Sequence, residues 1–221
     1  MATPAQPREA DAPPTPVAAL RAALKAGREA LRESFLAKPD TPKLLREHAR
    51  LVDTAIRGAW RESRMPAHAA LVAVGGYGRG QLFPHSDVDV LILLPGADRD
   101  GASIPAIERF LAMLWDVGVE ASHAVRTIPQ CAVEMKSDAT VRTSLLEHRH
   151  LAGERALFRT FAGAFSAAMD PGAFYEAKAL EQQQRHLKFH DAAYNLEPNV
   201  KASPGGLRDI QTIGWVAKRH F

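Results

Sequence analysis

The stretch Val74-Gly75-Gly76-Tyr77-Gly78-Arg79-Gly80-Gln81-Leu82-Phe83-Pro84-His85-Ser86-Asp87-Val88-Asp89-Val90-Leu91-Ile92-Leu93-Leu94 constrains the fold more than any other part of the chain. The short apolar run Leu71 to Val74 reads as a buried strand that stops at Gly75-Gly76, and Asp87 to Leu94 reads as the strongest strand of the sequence. Glycines directly after a strand let backbone N–H groups approach a phosphate closely, and Arg79 can add a charge-assisted contact. Asp87 and Asp89 stand two apart at the start of a strand, so their carboxylates project from one face while Val88 and Val90 face the other. Two converging carboxylates suit a hard cation, and magnesium bridging them to a triphosphate is the natural occupant.

Other glycine motifs fail on residue identity. A dinucleotide fingerprint counted from Gly76 needs glycine where Gln81 stands, and a Walker loop needs Lys followed by Ser or Thr where Gln81-Leu82 follows Gly80.

The rest of the chain surrounds this block with helices. Residues 1–16 contain five prolines and no apolar run, so they read as a disordered tail rather than a signal peptide or membrane segment. Two helices follow within 17–66: one over Val17 to Ala37, and one from Pro42 to about Ser63 after the capping sequence Asp40-Thr41-Pro42. Residues 67–128 form the α/β core, a small mixed sheet with a helix from Ser103 whose apolar side carries Ile107, Phe110, Leu111, Leu114 and Trp115. Gly118 caps that helix, and Val119 to Arg126 is a third strand. Residues 129–221 read as a helical extension, with segments Gln130–Met135, Thr140–Leu151, Arg155–Met169 and Ala173–Asp191 interrupted by Gly153 and Pro171-Gly172. The last residues, Trp215 to Phe221, lie in a helix without a stop signal, so the expectation is a fragment.

Composition excludes several classes. Cys131 is the lone cysteine, which rules out an intrachain disulfide and a cysteine-based zinc site and fits a cytoplasmic setting. Net charge is +3, with 28 basic and 25 acidic residues intermixed, so no basic block marks a nucleic-acid partner. No apolar run approaches the roughly 20 residues of a membrane span.

A Gly-Gly turn followed by Asp-x-Asp on a strand resembles the DNA polymerase beta-like nucleotidyltransferase superfamily. The fuller string Gly75 to Asp89 is similar to the bifunctional uridylyltransferase/uridylyl-removing enzymes that modify the nitrogen-signalling PII protein. A second block, Leu196-Glu197-Pro198-Asn199-Val200-Lys201 with Pro204-Gly205-Gly206-Leu207-Arg208-Asp209-Ile210-Gln211, resembles a downstream motif of those enzymes, as do Val125-Arg126-Thr127 and Ser144-Leu145-Leu146-Glu147. The resemblance implies transfer of UMP from UTP to a PII tyrosine, with Mg2+ or Mn2+ as cofactor. It implies nucleotide contacts from Gly75, Gly76, Arg79, Ser86 and Arg208, and a third carboxylate beside Asp87 and Asp89. Glu120, on the face of the third strand shared with Ser122, Ala124 and Arg126, is the first choice, with Asp138 as the alternative. The uridylyl-removing activity of such enzymes belongs to a later HD-type hydrolase domain.

Several residues keep a structural reading beside the functional one. Arg208 and Asp209 either start a helix and pair locally or line the nucleotide site, and Glu197, Asn199 and Lys201 share that ambiguity. His186 and His190 read as a solvated helix face, His190-Asp191 lacks the further ligands of a hydrolase centre, and the arginines of the leading helices read as solvated surface. The functional alternatives are transfer to another protein or RNA, and a nucleotide-sensing module of the same fold without turnover.

Overall fold

A computed structural model of the protein describes residues 14–96, 101–189 and 199–221. Along the chain the elements run α1 (Pro16–Ala37), α2 (Thr41–Glu62), β1 (Ala70–Ala73), α3 (Gly75–Gly78), β2 (Val88–Leu94), α4 (Ile104–Val117), β3 (Ala121–Thr127), α5 (Ile128–Ser137), α6 (Ala139–Leu146), β4 (Arg149–Gly153), α7 (Arg155–Ala168), α8 (Pro171–Lys188) and α9 (Leu207–His220). The fold is mixed α/β, with a four-stranded sheet of order β3-β2-β1-β4. It divides into two compact units, one of residues 1–66, 81–88 and 100–121, the other of residues 67–80, 89–99 and 122–221.

In the first unit α2 begins where its capping sequence predicts. Asp40 accepts from the Lys43 amide at 2.9 Å, and Pro42 sits in the first turn. Its apolar face buries Leu45, Val52, Ile56 and Trp60, and the Trp60 ring meets Phe110 of α4 edge-on at 5.4 Å. Two sequence expectations fail here. Trp115 is 79% exposed, because it lies roughly 100° around α4 from Leu114, off the stripe of Ile107, Phe110, Leu114 and Val117. Arg21 and Arg28 are more than solvated surface, since they donate to the carbonyls of Asp116 and Gly118 at the C-terminal end of α4, where helix carbonyls lack helical partners. Helix α1 also starts at Pro16, capped by Thr15, one residue inside the expected tail.

In the second unit β1 is paired along both edges and all four of its residues are buried, which explains an apolar run without alternation. It runs antiparallel to β2, with Ala70 opposite Leu93 and Ala73 opposite Val90, and antiparallel to β4, with Ala73 opposite Arg149. Beneath it Val72, Val74, Leu91 and Leu93 pack with Leu145, Phe161, Phe165 and Trp215. Strand β4 overturns the expected helix over Thr140 to Leu151. Helix α6 stops at Leu146, and Arg149 to Gly153 instead pairs with an edge of β1 some eighty residues upstream, a non-local demand that local periodicity does not carry. Pro171 is the first residue of α8 rather than an interruption before it, with Asp170 accepting from the Ala173 amide at 2.7 Å. None of the described helices is long and apolar enough to cross a membrane.

His148 makes the stability of this unit depend on pH. Its ring lies 5.5 to 5.7 Å from those of Phe158, Phe161 and Phe165, and Nδ1–H donates to the Leu145 carbonyl at 2.7 Å. Burial, with the charge of Lys218, holds the imidazole below its ordinary 6.5 against the opposing Leu145 carbonyl. The unfolded chain therefore takes up a proton near pH 6.5 that the folded chain resists. Stability is complete above that pH and declines as pH falls toward the folded value. Melting temperatures at pH 7.5 and 5.5 should show the fall, and His148→Phe should reduce it; a pH-independent melting temperature in the parent would contradict the reading. His48 in the first unit is depressed by burial in the same direction.

Candidate functional site

At the end of β1 the chain turns at once through α3, a single helical turn of Gly75, Gly76, Tyr77 and Gly78. The Val74 amide donates to the Asp89 carbonyl and the Gly78 amide to the Val74 carbonyl, both at 3.0 Å, so the turn is pinned to the start of β2. Gly75 has φ +59°, and a Cβ there would lie 2.9 Å from Asp89 Oδ2 and 3.5 Å from Ser144 Oγ. The missing side chain is what lets a carboxylate and a hydroxyl sit against the turn. The approach at Gly78 is closer, since a Cβ would lie 1.5 Å from the Glu147 carbonyl oxygen. The Tyr77 ring is buried beneath Arg149, whose guanidinium stands 5.3 Å from the ring centroid and donates to the Tyr77 carbonyl at 3.3 Å. At Gly76, by contrast, a Cβ would meet only Arg79 Nη2, at 3.6 Å.

Asp89, half-buried at the second position of β2, lines a cavity of about 160 Å³ with Ser122, Arg126, Val141 and Ser144. Sites that enclose a whole small molecule run to about 300 Å³ or more, so this one has room for a phosphate group and an ion. Of the face read for the third strand, Ser122, Ala124 and Arg126 line this cavity together with His123, whereas Glu120 does not.

Two cations extend the site. Arg79 Nε lies 3.8 Å from Glu147 Oε2, and the half-buried Arg208 guanidinium lies 5.4 Å from the Trp215 ring centroid. Burial lowers the Arg208 pKa, Glu181 opposes this, and the charges of Arg185 and Arg79 lower it further. Arg79 Nε and Lys218 Nζ of α9 each lie 3.8 Å from Glu147 Oε2, so the glycine turn and the helix that carries Arg208 meet at one carboxylate, and cations on both elements suit an anion.

Asp209 has a different role. Its carboxylate accepts from the Gly205 amide at 2.8 Å, Gln182 Nε2 at 3.0 Å and His186 Nε2 at 2.9 Å, and pairs with Arg185, joining α8 to α9. Burial raises its pKa, but these bonds outweigh it and hold the group below the usual carboxylate range. His186 is therefore a half-buried hydrogen-bonded residue rather than a solvated one. Asn199 builds the turn before α9, its side-chain oxygen accepting from the Lys201 and Ala202 amides at 3.1 and 2.9 Å. The readings on His190, Asp191, Leu196, Glu197 and Pro198 lie outside the described residues.

In the first unit Ser86 and Asp87 are exposed just before β2, and Glu120 is exposed just before β3, so both strands begin later than the sequence suggested. The Val88 amide donates to the Glu120 carbonyl at 3.0 Å, which sets these two approaches side by side. Ser86, Val88 and Glu120 line a separate cavity of about 830 Å³ with Arg28, Phe35 and Leu44. Asp138, the alternative third carboxylate, caps α6. It accepts from the Thr140 and Val141 amides at 2.6 and 3.3 Å, and the bond from Thr140 holds it below the usual range against slight desolvation. Among the described residues no three His, Cys, Asp or Glu side chains are gathered to hold a metal ion. Ser144 and Glu147 meet the glycine turn from far along the chain, and their only signal in the sequence was membership of a resembling block.

A family model described as GlnD PII-uridylyltransferase matches residues 173–221, and one described as a nucleotidyltransferase domain matches residues 55–148. Bifunctional uridylyltransferase/uridylyl-removing enzymes of Burkholderia orbicola and Burkholderia lata are each 50% identical over 210 residues, covering 95% of this chain and 24% of theirs. That of Burkholderia mallei is 49% identical over 207 residues, covering 94% of this chain and 24% of its own. The chain spans about a quarter of the length of the curated relatives it matches. Half of the chain's residues are thus identical to those of bifunctional uridylyltransferase/uridylyl-removing enzymes along nearly its whole length, and a nucleotidyltransferase domain model lies over the glycine turn and β2.

Proposed function

We propose that this chain transfers UMP from UTP to a tyrosine hydroxyl of a PII signal protein and releases pyrophosphate. One observation carries the reading: Asp89 Oδ2 is held against a glycine turn, 2.9 Å from where a Gly75 Cβ would stand, so an acidic oxygen and close backbone access coincide. Arg79 and Arg208 supply positive charge for the triphosphate. The names of the relatives and of the matching models support the uridylyl group and PII, and the sequence resemblance supports the tyrosine.

The donor set fits magnesium, or manganese in its place. Hard carboxylate oxygens two residues apart in the chain, Asp87 and Asp89, match a cation that takes one or two carboxylates and completes its shell from phosphates and water. The sequence resemblance alone supports Glu120 as the third carboxylate, and Asp138 serves as a helix cap. When bound, the ion neutralises charge on the triphosphate. The protein's share is positioning. Gly75 and Gly76 give the phosphates access to the backbone, and Arg79, Ser86 and Arg208 hold the nucleotide. The tyrosine oxygen then bonds to the α-phosphorus as the α–β bridging bond breaks, pyrophosphate leaves, and the phenolic proton passes to water.

Incubation of the protein with PII, Mg2+ and UTP labelled at the α-phosphate tests this. Label on PII, with one pyrophosphate per label, is the expected result. Label on an RNA primer, or transfer from another nucleotide only, would favour the broader nucleotidyltransferase reading, and UTP binding without any transfer would favour a sensing module. Arg208→Ala should weaken UTP binding about tenfold, the worth of one charge-assisted hydrogen bond. Calorimetry would show it, and an unchanged dissociation constant would remove Arg208 from the site.

A further inference from the structure

Glu147 is a buried carboxylate for which the proposed chemistry has no use. Its side chain is 4% exposed, and Oε2 accepts no hydrogen bond among the described residues. Two cations nevertheless face that oxygen, Arg79 Nε from the end of the glycine turn and Lys218 Nζ from α9, each at 3.8 Å. Burial pushes the Glu147 pKa up, while Lys218, Arg79 and the Trp215 side chain pull it down. The backbone of the same residue abuts the turn, because its carbonyl oxygen fills the space where a Gly78 Cβ would stand. A buried charge is retained only where partners compensate it, and here both partners belong to elements of the nucleotide site: Arg79 on the turn, and α9, which also carries Arg208.

We propose that Glu147 is a positioning residue for the nucleotide site, tethering the Arg79 guanidinium beside the glycine turn and joining that turn to α9. At 3.8 Å the pair attracts without a hydrogen bond, so Arg79 is confined but not locked. This inference rests on the assignment of Arg79 to the nucleotide phosphates.

The sign of one substitution decides between positioning and plain charge. A carboxylate near an anion site opposes anion binding through space, so if Glu147 acted by charge alone, Glu147→Gln would bind UTP more tightly. Positioning predicts the reverse: Arg79 loses its tether, and the dissociation constant rises about five- to tenfold, part of a charge-assisted contact. The experiment is calorimetric titration of UTP with Mg2+ into the protein, Glu147→Gln, Arg79→Gln and the double variant, with melting temperatures recorded alongside. Arg79→Gln should weaken binding at least as much as Glu147→Gln, and the double variant should bind no worse than Arg79→Gln alone, because both changes remove the same contact. In steady state the loss should fall on KM, with kcat held within about twofold. Glu147→Asp keeps the buried charge but draws it back by a methylene, so it serves if the Gln variant does not fold, and it too should weaken binding. Unchanged or tighter binding in Glu147→Gln or Glu147→Asp, or additive losses in the double variant, would overturn the inference. If the parent does not bind UTP, or Arg79→Gln binds as well as the parent, the nucleotide-site reading fails with it.

Discussion

Replacing Asp89 with Asn should lower the transfer rate at least about a thousandfold, equivalent to about 4 kcal/mol of transition-state stabilisation, while leaving the melting temperature nearly unchanged. Asn has the shape of Asp, so the packing of the side chain against Gly75 survives. What disappears is the charge. A neutral amide oxygen is a poor ligand for a hard cation, and the triphosphate would enter with its own charge uncompensated. Asp87→Asn should act in the same direction, and its exposure makes an effect on folding smaller still. Rates of label transfer to PII, set beside thermal melts of the same preparations, check both statements. Activity of Asp89→Asn within tenfold of the parent would remove the carboxylate from the proposed mechanism.

The parts of this site that could be read from the sequence are those whose chemistry is local. Gly75, Gly76, Asp87 and Asp89 fall within fifteen residues, and their order already states a strand, a tight turn and a second strand with acidic residues at its start. The capping sequence of α2 and the glycine after α4 are local in the same way, and both elements form where the sequence places them. Strand β4 was not legible, because residues 149–153 carry no strong alternation and become a strand only by pairing with β1. Ser144, Glu147 and Arg149 reach the turn through that same strand and the end of α6 before it, so losing β4 hid them too. The meeting of Arg79 with α9, the helix that carries Arg208, depends on α9 packing against the core through Trp215, which no spacing within either motif encodes. Asp138 shows the opposite error. An acidic residue of suitable identity near the site is accounted for by two amides at a helix start.

Gly78→Ala should be the most damaging substitution in the turn, lowering stability by about 3 kcal/mol or more and the melting temperature by roughly 6 to 12 °C. The atom in the way is a backbone carbonyl oxygen, that of Glu147, only 1.5 Å from where the new Cβ would stand. A side chain could rotate aside, but a carbonyl moves only if α3 or the junction between α6 and β4 moves with it. Gly76→Val is the informative companion. Its Cβ would meet only the mobile end of Arg79 at 3.6 Å, so the fold should tolerate it, whereas a branched side chain there blocks backbone access to phosphates. The expected pattern is therefore crossed. Gly78→Ala melts early, and Gly76→Val melts within about 2 °C of the parent, a change of under about 1 kcal/mol, yet binds UTP at least tenfold more weakly. Thermal melts and calorimetry on the two proteins give all four values. Equal stability of Gly78→Ala and the parent would mean that the turn does not press against Glu147, and full UTP affinity in Gly76→Val would place the phosphates away from α3.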